Sequence, residues 1–351
     1  MNFYNNEYYA DGLEQGIMKI VDVKSLFHKR ILITGASGLV GSALVDMLLK
    51  LNEVANADVE IFALGRNKAA LEQRFSNIFD KLHFIVQDVN DIEQLENNID
   101  ILIHAASNAN PSAYAEDPVG TIEGNTQATL NLLRYCQKVK AEQFIYISSG
   151  EVYGQLPKES IPFTEEMAGY IDSMNVRSCY MLAKKLAENL CVSYTHQYGL
   201  KTKIVRLSHV FGANYTTKDT RASAQFVTEA IKGRDIVLKS LGNHLRSYVH
   251  VIDAVSGILS VTTVGQNASV YNVTNTDNTL TLAEFAQTVA KEAKVSVKFD
   301  IMQEVDPTKV TPISFAVLSD VKLRSLGWEP TFSTIRGVEQ IIKILKDKKS
   351  C

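Results

Sequence analysis

The sequence is poor in cysteine, with four in 351 residues, and these show neither the density of a disulfide-rich protein nor the spacing of a metal site. We therefore expect a cytoplasmic protein that binds no metal. No apolar run is long enough to cross a membrane. The N-terminal segment carries Glu7 and Asp11 instead of the positive and then apolar stretches of a secretory signal, so we expect no membrane association.

The chain also lacks an excess of charge of either sign. Its formal net charge is -3 and its isoelectric point is about 6.2. Because there is no general basic field, nucleic acid is not expected as a partner. An anionic small molecule would have to be met by local arginines, for which Arg221 and Arg246 are candidates.

A short apolar segment, Arg30–Thr34, leads into three glycines and then into an apolar-periodic helix expected from Ser42 to Leu51. This order of strand, glycine turn and helix is typical of dinucleotide-binding proteins. The first glycine permits a tight turn, the second lets backbone N–H groups approach a pyrophosphate, and the third lets helix and strand pack closely. The predicted cofactor contacts in this turn are Gly35, Ser37, Gly38, Leu39, Val40 and Gly41.

Five further strands follow the glycine turn at α/β spacing, with helical stretches between most of them. We predict an α/β fold of the Rossmann type, which is a doubly wound parallel sheet with helices on both faces, and a smaller C-terminal substrate-binding region. The expected strands are Val59–Leu64, His83–Val86, Ile101–His104, Gln143–Ser148 and Thr202–Leu207.

The length of 351 residues suits one such domain with a smaller, interleaved region. The predicted parts are an N-terminal extension at 1–28 with a helix over Asp11–Val21, a dinucleotide-binding domain at 29–213, and a mainly substrate-binding region at 214–351. Part of 242–270, with a sheet segment over Ser247–Ile258, is expected to return to the first domain, whereas Val270–Lys298 is assigned to the smaller region. The extension could wrap its own domain or a partner subunit, or it could be a frayed tail.

Tyr180 and Lys184 are four residues apart, so on a helix they share one face. A phenol titrates near pH 10 and is a poor base at neutral pH, but a neighbouring ammonium stabilises the phenolate. The same lysine can also bind a ribose. A tyrosine and a lysine at this spacing also occur by chance in amphipathic helices, where the tyrosine packs and the lysine is solvated.

A buried strand ends at Ser148, Ser149, Gly150 and Glu151, at the edge where parallel sheets bind ligands. Ser149 could donate a hydrogen bond to a substrate hydroxyl while Tyr180 exchanges its proton. The simpler alternatives are that the serines form a cap or turn and that Glu151 is a solvated surface group. The agreement of three separate motifs favours the catalytic interpretation.

From about Lys29 to the C-terminus the chain resembles the extended short-chain dehydrogenase/reductase superfamily, in its branch of nucleotide-sugar epimerases, dehydratases and decarboxylases. Within that branch it is most similar to UDP-glucuronate decarboxylases. The motifs that carry the resemblance are Gly35 to Gly41, Asp88-Val89, His104 to Ser107, Asn125, the Ser149/Tyr180/Lys184 triad, Asp117 to Thr121, Glu151 to Gly154, Arg177 to Tyr180, Arg246 and Leu326 to Pro330.

The resemblance implies a cytoplasmic homodimeric enzyme of polysaccharide precursor synthesis that binds a nucleotide-diphosphate sugar. It implies NAD or NADP as cofactor and Ser149, Glu151, Tyr180 and Lys184 as catalytic residues. Further cofactor contacts implied are Arg66, Asn67, Asp88, Val89, Ala105, Ala106, Ser107, Asn125, Tyr180, Lys184 and Leu207. Substrate contacts implied are Ser149, Gly150, His209, Arg221, Phe226 and Arg246.

Such enzymes oxidise the sugar transiently at C4, and the resulting ketone acidifies C5 or lets a neighbouring carboxylate leave as carbon dioxide. The dehydratases carry an acid at the position of Gly150, so dehydration is disfavoured here. Decarboxylation of UDP-glucuronate is the leading hypothesis, and a 4-epimerase or an NADPH-dependent 4-ketoreductase is the alternative. The rival from another class is a dinucleotide-sensing module without catalysis, which has no need of the complete triad.

The chain departs from the family pattern at several positions, one of which is Gly150, where the decarboxylases usually carry serine. The second strand ends without the acidic residue that binds an adenosine ribose, and Arg66 there could grip a 2′-phosphate, stack on adenine or lie in solvent. His209 replaces a common asparagine, and Ala213-Asn214 replace a common Pro-Arg, so diphosphate contacts could be rearranged. Arg246 could recognise either a sugar carboxylate or the diphosphate.

Overall fold

The computed structural model describes residues 3–76, 78–95, 97–107, 109, 111–216, 219–301 and 313–347. Its strands are β1 (Arg30–Thr34), β2 (Glu60–Gly65), β3 (His83–Val86), β4 (Ile101–His104), β5 (Gln143–Ser149), β6 (Lys201–Leu207), β7 (His209–Phe211), β8 (Ile236–Leu238), β9 (Leu245–His250), β10 (Ser269–Val273), β11 (Thr279–Thr281), β12 (Val297–Phe299) and β13 (Phe315–Ala316). Its helices are α1 (Glu7–Ile17), α2 (Leu39–Ala55), α3 (Lys68–Phe75), α4 (Pro111–Glu116), α5 (Pro118–Val139), α6 (Cys179–Tyr198), α7 (Ala222–Ile231), α8 (Val251–Val264), α9 (Leu282–Ala293), α10 (Val321–Arg324) and α11 (Thr334–Lys346).

Seven parallel strands form the central sheet, in the order β10-β6-β5-β4-β1-β2-β3. The predicted doubly wound α/β fold is therefore confirmed, and the predicted strands differ from the observed ones by at most one residue at either end. From β1 the chain adds β2 and β3 on one side and then returns to add β4, β5 and β6 on the other side. The order of the strands therefore switches between β1 and β4. Ligands bind such sheets at this switch point, beyond the carboxyl ends of the strands.

The strands are apolar on both faces because helices cover both sides of the sheet. Ile31 and Ile33 belong to one hydrophobic cluster, with α2 and α8, while Leu32 between them belongs to the other, with α5 and α6. Side chains that alternate along a strand point to opposite faces. This two-sided burial holds β1 rigidly under the glycine turn that follows it.

The helix that follows the glycine turn, α2, is longer than predicted. It begins directly after Gly38, at Leu39, and ends at Ala55. Gly38 is its N-cap residue, and no side chain caps the helix. The backbone N–H groups of the first turn are therefore not bound by a capping side chain. This is the arrangement in which a helix N-terminus can receive a phosphate.

The N-terminal extension packs on its own domain. Its helix α1 spans Glu7–Ile17, four residues before the predicted start, because the Asn6 side chain accepts hydrogen bonds from the backbone N–H groups of Tyr8 and Tyr9 and so caps the helix there. Tyr9 and Leu13 are buried, and α1 contacts α2, α8 and α11. Among the three interpretations of this segment, the structure supports the one in which it wraps the domain.

The smaller region contains a sheet of β11, β9 and β13, with β7 paired to β9, and a separate β8–β12 pair. The predicted sheet segment Ser247–Ile258 is right only for its first four residues, because β9 ends at His250 and α8 begins at Val251. Nearly every residue of α8 is buried, so tertiary packing overrides the β-propensity of its valines and isoleucines. Val270, assigned to the smaller region, lies in β10 and pairs with Ile204 of the large sheet.

In the described part of the chain no helix is both long and apolar enough to cross a membrane. Residues 302–312 and 348–351 of the predicted C-terminal region lie outside the described residues.

Candidate active site

A cleft of about 380 Å³ opens beyond the carboxyl ends of β1, β4, β5 and β6. Its walls are the glycine turn, the loops after β4 and β5, the first turns of α6, and the segment after β6. The sequence-predicted residues that line this cleft are Gly38, Leu39, Val40, Gly41, Ala105, Ser107, Ser149, Gly150, Glu151, Tyr180, Lys184, Leu207, His209 and Arg221.

The glycine turn has the shape that a dinucleotide needs. Gly35 has a φ of +67°, and a Cβ atom there would lie 2.7 Å from the Cα atom of Ala106. A Cβ atom on Gly41 would overlap the carbonyl oxygen of Gly35. Together with the uncapped start of α2, this close packing fits a pyrophosphate against backbone N–H groups.

The predicted adenosine contacts lie at the ends of β2 and β3, away from the cleft lining. The Nη1 atom of Arg66 is 3.6 Å from the Asp88 carboxylate, and the Arg66 side chain is 77% exposed. The Asn67 side chain caps α3, and the Asp88 side chain accepts a hydrogen bond from the backbone of Asn90. Val89 is buried beside Asp88. That Arg66 binds a 2′-phosphate stays a prediction.

The loop after β4 is fixed by hydrogen bonds to its neighbours. The backbone N–H of Ala106 donates to Thr34 Oγ1 at 3.1 Å, and Ser107 Oγ donates to Asn125 Oδ1 at 2.9 Å. Asn125, on α5, in turn donates to the carbonyl oxygen of Thr121 at 2.7 Å. Asn125 therefore positions Ser107 at the cleft wall without itself lining the cleft.

The predicted catalytic tyrosine and lysine share one face of α6, as their spacing requires, and both are almost completely buried. The Lys184 ammonium donates to the carbonyl oxygen of Ile147 at 2.8 Å and lies 4.7 Å from the centre of the Tyr146 ring. It lies 5.9 Å from the centre of the Tyr180 ring. Ser149 and Tyr180 line the cleft together with this lysine.

Burial moves the pKa values of these two groups in opposite directions. Burial and the negative charge of Glu151 raise the pKa of Tyr180 to about 12, while hydrogen bonding with Ser149 opposes the change. Burial lowers the pKa of Lys184 to about 7, and the charge of Glu188 opposes that change. The protein alone thus keeps Tyr180 neutral at pH 7, and a further positive charge in the cleft is needed to favour its phenolate.

Glu188 continues the same helix face one turn beyond Lys184 and holds a buried network under the cleft. Its carboxylate accepts hydrogen bonds from Ser148 Oγ at 2.6 Å and from the Nε and Nη2 atoms of Arg206 at 2.9 and 2.7 Å. This network ties α6 to β5 and β6, directly behind Ser149. Sequence reasoning missed both Glu188 and Arg206, although the spacing of Glu188 from Lys184 was a usable signal.

Glu151 is held at the cleft by Arg177. The Nη2 atom of Arg177 donates to both carboxylate oxygens, at 3.3 and 3.2 Å. The Arg177 guanidinium lies 4.6 Å from the centre of the Tyr114 ring, which is stacked on the Tyr180 ring. The sequence indicated Arg177 only as part of a family motif, and nothing in it singled out Tyr114.

The predicted substrate residues are not all brought together. Phe226 is buried in the core, and Arg246 donates from Nη1 to the carbonyl oxygens of Leu245 and Ser314 and from Nη2 to that of Ile313. Neither is among the described residues that line the cleft.

Two other predicted substrate residues do line it. Arg221 is paired with Asp219, and its Nη2 atom lies 2.5 Å from the carboxylate. His209 lines the cleft beside it. His209 is exposed at the cleft surface, and desolvation together with the charges of Arg246 and Arg221 lowers the pKa of its ring. A histidine whose pKa lies below its usual 6.5 is mainly neutral at pH 7.

Comparison with known proteins places this site in a family. The sequence model of the NAD dependent epimerase/dehydratase family matches residues 31–274. The chain belongs to this family. The match covers the sheet, the glycine turn and the Tyr180/Lys184 helix, so the predicted resemblance is confirmed, as is the prediction that the protein is an enzyme. The family is NAD-dependent, and the glycine turn described above fits that dinucleotide.

Curated proteins similar to this chain include UDP-glucuronic acid decarboxylases. A UDP-glucuronic acid decarboxylase of Danio rerio is 30% identical over 322 residues, which are 90% of this chain and 72% of the relative. A UDP-glucuronic acid decarboxylase of Arabidopsis thaliana is 31% identical over 315 residues, which are 89% of this chain and 87% of the relative.

Solved structures share the fold at lower identity. A UDP-glucose 4-epimerase of Thermotoga maritima, solved with UDP-glucose, superposes with a TM-score of 0.78 at 22% identity, covering 91% of this chain and 99% of the other. A dTDP-glucose 4,6-dehydratase of Streptomyces venezuelae, solved with NAD, gives a TM-score of 0.77 at 23% identity, covering 91% of this chain and 98% of the other.

Among the residues that the structure describes, no three His, Cys, Asp or Glu side chains are grouped so that they could hold a metal ion.

Proposed function

We propose that the protein decarboxylates UDP-glucuronate, or a closely related nucleotide-linked uronic acid. The observation that carries the proposal is that Ser149, Tyr180, Lys184 and Glu151 line one cleft next to the glycine turn. The identity of about 30% with UDP-glucuronic acid decarboxylases over 90% of the chain supports this choice of reaction.

Each of the four residues has a separate role in the proposed reaction. NAD, when bound, supplies the group that accepts the hydride from the sugar and returns it. Tyr180 takes the proton of the sugar hydroxyl, and Ser149 hydrogen-bonds the same oxygen. Lys184 provides positive charge beside the phenol, and its hydrogen bond to Ile147 holds it in place. Glu151 lies where it can move a proton at the sugar ring or orient the ring.

The position of Gly150 supports decarboxylation over dehydration. A dehydratase needs an acid that protonates the departing hydroxyl, and glycine has none to offer. A side chain would also be crowded there, because a Cβ atom on Gly150 would lie 3.1 Å from a methyl group of Leu318 and 3.4 Å from the carbonyl oxygen of Leu207. The packing of the cleft wall thus agrees with the absence of the acid.

Arg221 is the arginine best placed to meet an anionic group of the substrate. It lines the cleft, whereas the Nη groups of Arg246 bind backbone carbonyl oxygens. We propose that Arg221 contacts the diphosphate or the carboxylate and that Arg246 acts on the cleft through its charge. Neutral His209 offers a further hydrogen bond beside Arg221.

The test is mass spectrometry of the nucleotide products after incubation with UDP-glucuronate and NAD. Loss of carbon dioxide supports the proposal, and Tyr180→Phe should abolish it while NAD binding survives. An isomer of unchanged mass would instead indicate an epimerase, and stoichiometric oxidation of NADPH on a keto-sugar would indicate a reductase. Either of those results would reject decarboxylation.

We further propose that two copies pair through α5 and α6 to form a homodimer. These helices pack against each other, and on their outer sides Val119, Ile122, Leu182 and Leu186 are exposed. Apolar side chains clustered on neighbouring helices are typical of an interface. Light scattering after gel filtration should give twice the chain mass, and Leu186→Glu should shift it towards a monomer.

A cytoplasmic location is also proposed. The cysteines Cys136, Cys179 and Cys191 are free thiols and buried, as expected in a reducing compartment. Cell fractionation with antibodies against the protein tests this, and recovery outside the cytoplasm would contradict it.

A further inference from the structure

Two side chains that the proposed mechanism does not use lie directly against two that it does. The Tyr114 ring is stacked on the Tyr180 ring with centroids 4.6 Å apart and an angle of 16° between the planes. The Arg177 guanidinium lies 4.6 Å from the centroid of the Tyr114 ring. Tyr114 and Arg177 are almost completely buried, at 2% and 4% exposure.

The guanidinium connects this stack to Glu151. Its Nη2 atom donates to both oxygens of the carboxylate, and the Glu151 side chain, 26% exposed, faces the cleft while that of Arg177, 3% exposed, does not line it. The Nε and Nη1 atoms of Arg177 have no hydrogen-bond partner among the residues that the structure describes. A buried cation needs a counter-charge, so the ion pair with Arg177 fixes the Glu151 carboxylate at the cleft wall.

We propose that Arg177 and Tyr114 form a positioning unit that fixes the Glu151 carboxylate and the Tyr180 ring relative to each other. The proposal rests on the proposed function, in which both groups act on one sugar. Arg177 does not line the cleft and reaches it through Glu151, whereas Tyr114 lines the cleft beside Tyr180 and is assigned here to hold the Tyr180 ring. Stacking and ion pairing by one planar group require arginine, since lysine offers a point charge without a plane.

The unit also sets the charge around Tyr180. The negative charge of Glu151 raises the pKa of Tyr180. Because the Arg177 cation is bonded to that carboxylate and carries the opposite charge, Coulomb's law predicts that it reduces this effect. Loss of the cation should therefore make Tyr180 harder to ionise. The titratable and polar groups that face Tyr180 from the surrounding elements are Glu151, Tyr114, Lys184, Tyr146, Ser149 and Ser107.

The first experiment uses the full-length, NAD-loaded protein without substrate. Phenolate formation is followed by ultraviolet absorbance across pH, and the contribution of Tyr180 is taken as the difference from the matching Tyr180→Phe protein. Arg177→Met should move this titration to higher pH, whereas Arg177→Lys, which keeps the charge, should leave it close to that of the wild type. Lys185→Met, which removes a cation from the same helix outside the stack, is the control.

The second experiment measures turnover of UDP-glucuronate. In Arg177→Met, kcat at pH 7 should fall by roughly tenfold to a hundredfold, the range for loss of a hydrogen bond to a charged group. KM should change by less than about threefold, because no ground-state contact to the substrate is lost. Arg177→Lys should recover only part of kcat, because the plane that stacks on Tyr114 is missing.

Arg177→Met leaves Glu151 without its partner and could unfold the protein, in which case the double variant Glu151→Gln/Arg177→Met replaces it in the titration. The double variant removes both charges together, so the midpoint of the Tyr180 titration should be equal to or below that of the wild type. An unchanged Tyr180 titration in Arg177→Met, or a raised KM with unchanged kcat, would overturn the proposal. If the wild type does not turn over UDP-glucuronate at all, the proposed function fails, while the substrate-free titration still decides the role of Arg177.

Discussion

Replacing Lys184 with methionine should stop catalysis and yet make the protein more stable at neutral pH. Methionine keeps the apolar stem and removes the buried amine. Because burial lowers the pKa of this lysine from 10.5 to about 7, the unfolded chain binds its proton more tightly than the folded protein does. The lysine therefore destabilises the fold fully below about pH 7, and this effect disappears as the pH rises towards 10.5.

The size of the effect follows from the two pKa values. Linkage gives a destabilisation of about 4 kcal/mol at pH 7 and about 2 kcal/mol at pH 9. The substitution removes the hydrogen bond from Lys184 to Ile147 and the contact with the Tyr146 ring, which together stabilise the fold by about 2 kcal/mol. Lys184→Met should therefore be about 2 kcal/mol more stable at pH 7, a rise in Tm of about 3 °C for a chain of this length, and about equal to the wild type near pH 9.

The assay is thermal and urea unfolding of the cofactor-free protein at both pH values, since bound NAD would add its own stabilisation. The quantity that matters is the difference between the variant and the wild type. A difference that is the same at pH 7 and pH 9 would show that Lys184 is not held with a lowered pKa, and would refute the reasoning. Lys185→Met, which removes a neighbouring lysine of the same helix, is the matched control.

Two further changes test the fold around the site. Gly41→Ala would drive a Cβ atom into the carbonyl oxygen of Gly35, so NAD affinity measured by calorimetry should fall more than about tenfold, whereas Gly124→Ala, in open space, should leave it unchanged. Tyr9→Phe removes a donor to the buried Asp46 carboxylate and should lower the free energy of unfolding in urea by about 1–3 kcal/mol, whereas Tyr8→Phe, at a more exposed ring, should change it little.

The parts of the site that could be predicted from the sequence are those formed by residues close together in the chain. The turn from Gly35 to Gly41 and the Tyr180/Lys184 pair depend on one turn and one helix face, so their spacing fixes their geometry. Ser149 could be placed because a buried strand must end at the sheet edge where the turn also lies.

The remaining parts depend on contacts between distant segments. Arg177 meets Glu151 across 26 positions, and Tyr114 on α4 meets Tyr180 on the separate helix α6, a contact that the periodicity of neither helix predicts. The helix of the extension starts earlier than its apolar pattern indicates because Asn6 caps it. The return of part of 242–270 to the first domain is among the predictions, but the helix α8 within it is not, because α8 is buried nearly all round and local propensity favours a strand there.

The catalytic groups of α6 are held in place at the expense of stability, and the surrounding structure makes this tolerable. Lys184 is buried with a lowered pKa, and Arg177, just before the helix, keeps two nitrogen atoms without hydrogen-bond partners in the described structure. Behind them, Glu188 forms a closely bonded pair with Arg206, so the same helix face carries one satisfied charge pair beneath its strained groups. Glu188→Gln weakens this charge pair, so it should disturb the placement of Tyr180 and Lys184 together and lower kcat while leaving NAD bound.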